Sequence, residues 1–551
     1  MKLYNIFNKI NKKLIIGNLC LFVIIVITII IRSKILFNTS LIPGTNGAYY
    51  LIQTRSIIEK LQLFEHDMPL IFLLQAGFSI IVKFFTHMDL ENSIFISVKI
   101  FDSIVPALSA IPTYFITTYL NKNKNFVLPT IASLVIVTLS FGPLRMIGDF
   151  QKNALGMLWF LCMAYFLIKA YSLNSKRDFI LSLIFLIFCG LTHIGAFGVA
   201  LVFIVLSIIT SILFTSKFTK KTLISLGLTL LSIIGLLTFL KYTSDSTRIS
   251  KLISYIEMPI SILQFTNLNR IFMLENINVI ILFGSISIIT IFLLIWKRNS
   301  FEKWEHSLII PSIILTLFLI CPFVKQDFST RFQIMAFAPA AITLIFFFKH
   351  NNDLVNSFAM ILIVIAIIIG IKPVMLTVST PSISEDSYSE LTALNSYIDE
   401  PNETVIIARH GLEWWVAWVL HIDIAQPSVV TNNIWNNYKN VLYIQEISMG
   451  KGFDFQDSQS RQLPGPGYYS TPPSFDQYKP PDPPDQIYEN LLPPNKSLPQ
   501  NPNGSFPQNH FFDSLLTNST KTTLFNGNYF ILYNLPDTIT SPDENENIYK
   551  E

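Results

Sequence analysis

The sequence predicts a polytopic α-helical membrane protein that carries a soluble α/β domain in its C-terminal part. Three observations predict it. Hydrophobic residues make up 51% of the 551 and charged residues only 14%; apolar runs recur at about the 20 residues needed to cross a bilayer; and beyond residue 378 these runs give way to short strand-like and helix-like segments.

About eleven runs are apolar enough to span: 14–31, 94–120, 127–147, 154–171, 179–195, 196–214, 222–241, 279–296, 307–324, 331–348 and 356–377. The first is longer than the apolar core of a signal peptide and no small-residue cleavage site follows it, so it reads as a membrane helix. With the N-terminus cytoplasmic, alternation places Lys9, Lys12 and Lys13, Lys122 and Lys124, Lys176 and Arg177, Lys217 with Lys220 and Lys221, Lys297 with Arg298, and Lys349 on the inner side. Merging 179–214 into one helix would put the last three clusters on the wrong side, so two helices are expected, with His193 near their outer turn. Cys20, Cys162, Cys189 and Cys321 all lie in apolar segments without disulfide or metal spacing and read as packing residues.

The same alternation makes residues 1–377 a membrane domain with outer segments 32–93, 145–153, 242–278 and 325–330, and puts 378–551 outside. Within the first outer segment, 68–85 is interrupted by Gly77 and Lys83 and reads as a helix lying on the interface. In the C-terminal part, "ETVIIARHG" predicts a strand entering a loop, "LEWWVAWVL" a helix, and "TLFNGNYFILYNL" a hairpin turning at Asn-Gly. Residues 463–508 hold 13 of the 29 prolines and read as an extended insertion. Sequons at Asn38, Asn402, Asn495, Asn503 and Asn518 fall on the expected outer side.

A net charge of +3 on so long a chain argues against nucleic acid as a partner. Almost no ionisable residue falls inside the spans, so no ion path of the kind a pump needs is visible. Polar residues gather at the expected outer helix ends instead. Arg145, Asp149, Lys152 and Asn153 would share a face if the fourth span starts as a helix through them. Lys325, Asp327 and Arg331 form a second group, and an arginine at a membrane surface can bind a phosphodiester through two parallel bonds. Taken alone, both groups read more simply as ordinary interfacial anchors.

The stretch "TNGAYYLIQTR", with Tyr49, Tyr50 and Arg55, and the acidic "GDFQKN" around Asp149 carry a resemblance to the GT-C superfamily of polyprenyl-phosphate-dependent glycosyltransferases. Protein O-mannosyltransferases, aminoarabinose transferases and the oligosaccharyltransferase catalytic subunit belong to it. The resemblance implies transfer of a sugar from a polyprenyl-phosphate donor to a protein, lipid or glycan acceptor at the outer membrane face, with Mg²⁺ or Mn²⁺ needed in some members. It implies acidic residues that position the acceptor and basic residues that hold the donor phosphate, here Arg145, Lys152 and Arg331, with Lys325 and Arg55 as further candidates. The sequence departs from the pattern at the first acidic position, which Asn46 fills; an amide cannot act as a general base at neutral pH. Asp67 or Glu65 of "FEHDMP" then supplies the acid, or Asp149 carries it alone, or transferase activity has been lost, in that order. His66 beside Asp67 could join Asp67 and Asp149 in holding a metal. His193 would face the same cavity, although a lone histidine at a turn is more often structural.

In the C-terminal part, Trp414, Trp415 and Trp418 invite comparison with the Trp-Trp-Asp-Tyr-Gly motif of the oligosaccharyltransferase, but the last three residues are absent and a packing stripe is the simpler reading. Two rival functions stand beside transfer: a transporter or flippase of lipid-linked saccharides, which would need polar groups within the spans, and a non-catalytic relative.

Overall fold

The computed structural model describes residues 2–121, 126–215, 277–324, 326–378, 380–431, 434–447 and 521–536, together with the isolated residues 227, 229, 235 and 516. The expected span 222–241, most of the outer segment 242–278, Lys325 and the proline-rich insertion 463–508 lie outside the described residues. The chain divides into two compact units, residues 1–385 and 386–551.

The first unit is a helix bundle: α1 (Lys2–Leu36), α2 (Gly47–Lys60), α3 (Leu70–Thr86), α4 (Leu90–Ile104), α5 (Ala110–Asn121), α6 (Val127–Leu139), α7 (Phe141–Arg145), α8 (Gln151–Leu173), α9 (Lys176–Thr192), α10 (Ile194–Thr215), α11 (Ile277–Trp296), α12 (Lys303–Leu319), α13 (Gln326–Gln333), α14 (Phe337–His350) and α15 (Asp353–Val378). Among the described residues eight helical segments are long and apolar enough to cross a membrane. Helices α9 and α12, expected as spans, are 17 residues each. A single extended residue, His193, separates α9 from α10, which pack on each other, so the expected division into two helices stands. Every residue from Phe337 to Phe348 of α14 is buried, as an all-round apolar helix requires, whereas α1 and α15 expose much of their apolar surface in the place where lipid would cover it.

Helix α3 is two-faced, one side buried and the other an exposed apolar surface. Ile71, Phe72, Gln75, Ala76 and Ser79 form its buried stripe. Leu73, Ile80, Ile81, Phe84 and Phe85 are exposed on the opposite side, and the helix packs on α4.

The segment from Leu90 to Asn121 is broken, and the break has an identifiable cause. Pro106 has no N–H to offer the carbonyl of Asp102 four residues earlier, and a short 3₁₀ turn, Ala107–Ser109, follows before α5. Arg32 of α1 fills the gap: its Nε donates to the Asp102 carbonyl at 2.8 Å. Its Nη2 pairs with Asp102 Oδ1 at 2.6 Å, both side chains being wholly buried. Lys99, also buried in α4, donates to the Thr39 and Ser40 carbonyls just past the end of α1. Ionisable groups therefore do sit within these helices, contrary to the near-absence expected from the sequence; their partners are mostly backbone groups that helix breaks and ends leave free.

The second unit contains a five-stranded sheet of order β2-β1-β3-β5-β4: β1 (Thr404–Ile407), β2 (Asp423–Ala425), β3 (Asn440–Glu446), β4 (Thr522–Asn526) and β5 (Phe530–Leu535). The first three strands are parallel, with Ile406 opposite Ile424 and Leu442, and β5 runs antiparallel to β3 and β4. The expected Asn-Gly turn joins β4 to β5, and Glu390 accepts from the N–H groups of Asn528, Tyr529 and Phe530 there at 2.8–2.9 Å. The expected helix α17 (Leu412–Leu420), which follows α16 (Glu385–Ala393), buries Trp414, Trp415 and Trp418; Trp415 meets Tyr388 edge-on at 5.7 Å, so the stripe packs.

Candidate active site

Two loops of the first unit fit against each other through a pair of glycines. Gly44 (φ +90°) precedes α2, and a Cβ there would lie 2.5 Å from Asp149 Oδ1. Gly148 (φ +78°) precedes Asp149, and a Cβ there would collide with the Pro43 carbonyl. Both positions need the left-handed region and both leave no room for a side chain. The contact sets Asp149 against the start of α2, where its Oδ1 accepts the Asn46 N–H at 2.8 Å. Asn46 is the N-cap residue of α2, but its side chain makes no capping bond; the Asp149 carboxylate instead accepts the N-cap residue's own N–H, at the positive end of the helix dipole.

Asp149 is nearly buried, and Arg145 Nη1 lies 3.7 Å from its Oδ2. Burial pushes its carboxyl above the usual carboxylate range; the Asn46 amide, the Arg145 cation and the Thr45 amide each pull it partly back. The Tyr50 hydroxyl donates to the Asp149 carbonyl at 3.2 Å and accepts the Lys152 N–H at 3.4 Å, tying α2 to the start of α8. Arg145, Asp149, Lys152 and Asn153 do not share one helical face as expected: α7 ends at Arg145, the left-handed turn at Gly148 intervenes, and α8 begins only at Gln151.

Lys152 instead turns to Asp67. Its Nζ pairs with Asp67 Oδ2, which also accepts the Tyr49 hydroxyl, while Oδ1 takes the Met68 N–H at 2.7 Å. The ammonium lies 5.0 Å from the centre of the Tyr49 ring and 5.9 Å from that of Phe72. Gln53 fixes the loop that carries Asp67, donating to the Glu65 carbonyl at 2.8 Å and accepting the Phe64 N–H at 3.0 Å. Gln75 donates to Gln151 at 2.7 Å and so joins α3 to the first turn of α8.

Of the remaining expected residues, Arg55 is buried in α2 and pairs with Glu91 at 3.3 Å. Glu65 and His66 are exposed beside buried Asp67. His193 Nδ1 accepts the Ala196 N–H at 3.2 Å, which caps α10. Arg331 is exposed in α13. Among the described residues no three His, Cys, Asp or Glu side chains gather as a metal site, and Lys152 already holds Asp67. Among the described residues this arrangement offers a divalent cation no cluster of carboxylates.

Sequence reasoning missed Arg32, Asp102 and Gln75. Each lies far along the chain from what it holds, and only for the arginine and aspartate was there a signal, a charge within or bordering an apolar run.

No family model matches this sequence, and no curated protein matches it. Solved structures do. The apo oligosaccharyltransferase of Archaeoglobus fulgidus superposes with a TM-score of 0.53 at 11% identity, over 78% of this chain and 70% of that one. AglB of the same organism, in complex with an inhibitory peptide and a dolichol-phosphate, gives 0.48 at 12% identity over 77% and 69%. ArnT from Cupriavidus metallidurans bound to undecaprenyl phosphate gives 0.45 at 9% identity over 94% and 98%. The chain thus has the fold of the archaeal oligosaccharyltransferase, a bundle of long apolar helices followed by a C-terminal α/β domain.

Proposed function

We propose that the chain is a membrane glycosyltransferase that moves a sugar from a polyprenyl-phosphate donor to a protein, lipid or glycan acceptor at the outer membrane face, with the N-terminus cytoplasmic. The observation that carries this reading is Asp149: a nearly buried carboxyl with a raised pKa, held at a helix N-terminus beside Arg145. In the reaction Asp149 takes the proton of the acceptor hydroxyl or amide as that atom bonds to the anomeric carbon. The bond from that carbon to the phosphate oxygen breaks, and the phosphate leaves with its charge stabilised by Lys152, Arg145 and Arg331. The oligosaccharyltransferase fold agrees with this reading.

Purified protein in lipid nanodiscs, offered polyprenyl-phosphate sugars with and without Mg²⁺ or Mn²⁺, tests it. Turnover that disappears in Asp149→Ala is expected; absence of turnover with every donor would sink the proposal. One observation favours a second reading, a non-catalytic relative: Asn46 stands where an acid is expected, and Asp67 is already neutralised by Lys152. Such a protein would bind the lipid phosphate without transfer, and Asp149→Ala would leave binding unchanged. The buried Arg32 and Asp102 bond to each other and to backbone, which gives a transporter no relay.

A further inference from the structure

The buried pair Arg32 and Asp102 does more than mend the proline break in α4. Arg32 Nη1 donates to the Pro143 carbonyl at 2.6 Å. That carbonyl is free because Ile147, which would bond to it in a continuing helix, donates to Leu144 instead. Asp102 Oδ2 accepts the N–H of Gly148 at 2.8 Å. One ion pair therefore grips the turn 143–148 at both ends, from α1 and α4, through two bonds to backbone groups that no helix satisfies. The turn ends at Asp149, whose own amide donates to Ile147 at 3.0 Å. Gly148 stays left-handed with its N–H aimed at Asp102, and this orientation sends the next side chain toward the N-terminus of α2.

An ion pair with both partners wholly buried is a costly way to stabilise a fold, since apolar residues of like volume commonly do as well. Its distinctive product here is a fixed turn. We infer that Arg32 and Asp102 are positioning residues for Asp149: they hold the Gly148 turn so that the Asp149 carboxylate rests on the Asn46 amide. The inference rests on the proposed transferase reading for its catalytic consequence, but the geometry can be tested without it.

Asp102→Asn keeps an oxygen for the Gly148 N–H and removes the charge that orients it; Arg32→Lys, which keeps the charge but loses the fork, serves as the second variant if the first does not fold. Amide hydrogen exchange is followed in the full-length protein in nanodiscs. Exchange about tenfold faster in two peptides far apart in sequence, 143–150 and 43–47, with the rest of the bundle unchanged, is expected. If wild-type protein turns over, kcat should fall by about 100-fold with donor KM held. Uniformly faster exchange across all helices would mean a merely structural pair and overturn the inference. Faster exchange in 143–150 alone, with 43–47 at the wild-type rate, would overturn it equally, because Asp149 would then keep its place without the pair. An inactive wild type would defeat the transferase reading, while the two peptides still decide whether the pair positions Asp149.

Discussion

The Asn46 N–H lies 2.8 Å from Asp149 Oδ1, so residues 103 apart in sequence share one helix cap. Capping by a side chain at the N-cap position is the usual arrangement; here the carboxylate comes from another loop and the Asn46 side chain is left out of it. The acid is thereby placed by backbone, through two glycines and one amide, and the amide side chain at 46 can be exchanged without dismantling the cap.

Asn46→Asp puts a second carboxylate beside Asp149. The variant should bind divalent cations more tightly than wild type. Titrating Mg²⁺ or Mn²⁺ during thermal unfolding in detergent should raise stability by about 1.4 kcal/mol at ten times Kd in the variant and by less in wild type. Equal shifts in both would show that wild type already holds the ion.

Asp149 should set both the acid limb of activity and a stability cost. Its folded pKa is raised, chiefly by burial, so protonation favours the folded state: that contribution is full below the ordinary carboxylate pKa and is lost as pH rises through the folded value. Asp149→Asn should therefore melt above wild type near neutral pH, with the gap closing on acidification, while transfer is lost. Arg145→Gln removes a cation that lowers this pKa, so the acid limb of kcat/KM should move to higher pH.

Lys152 and Asp67 should be energetically coupled. Asp67→Asn leaves a mostly buried ammonium facing a neutral amide and should cost about 2 kcal/mol; Lys152→Met made in the Asp67→Asn background should recover much of it. A double-mutant cycle by thermal unfolding checks this, and additive losses would show that the pair is not coupled.

Arg331 is exposed, and its removal should leave the fold intact. If it grips the donor phosphate, Arg331→Ala should weaken polyprenyl-phosphate binding by about tenfold, with a shallower salt dependence. Microscale binding in nanodiscs at two ionic strengths reads both; unchanged affinity would remove Arg331 from the donor site.

Much of the fold was legible because periodicity and run length report it directly. The apolar runs that fall on described residues are helical, the break before α10 falls at His193, and the Asn-Gly hairpin, strand β1 and helix α17 lie where the sequence put them. The site was legible by residue type but not by arrangement. Tyr49, Tyr50, Asp67, Asp149 and Lys152 do come together, yet spacing suggested that Lys152 would lie beside Asp149 on one helix. The left-handed turn at Gly148 separates them, and a glycine in a polar stretch carries no mark of the φ it will adopt. Arg32 and Asp102 were missed for a related reason: the need for them is created by Pro106 and by the end of α7, and it shows only when helices are packed.

Pro106 and Arg32 are chemically coupled, the first freeing a carbonyl and the second bonding to it. An N–H at position 106 would release only the Arg32 Nε, since the guanidinium still holds Pro143 and Asp102, whereas loss of the arginine with the proline kept strands a carbonyl among apolar side chains.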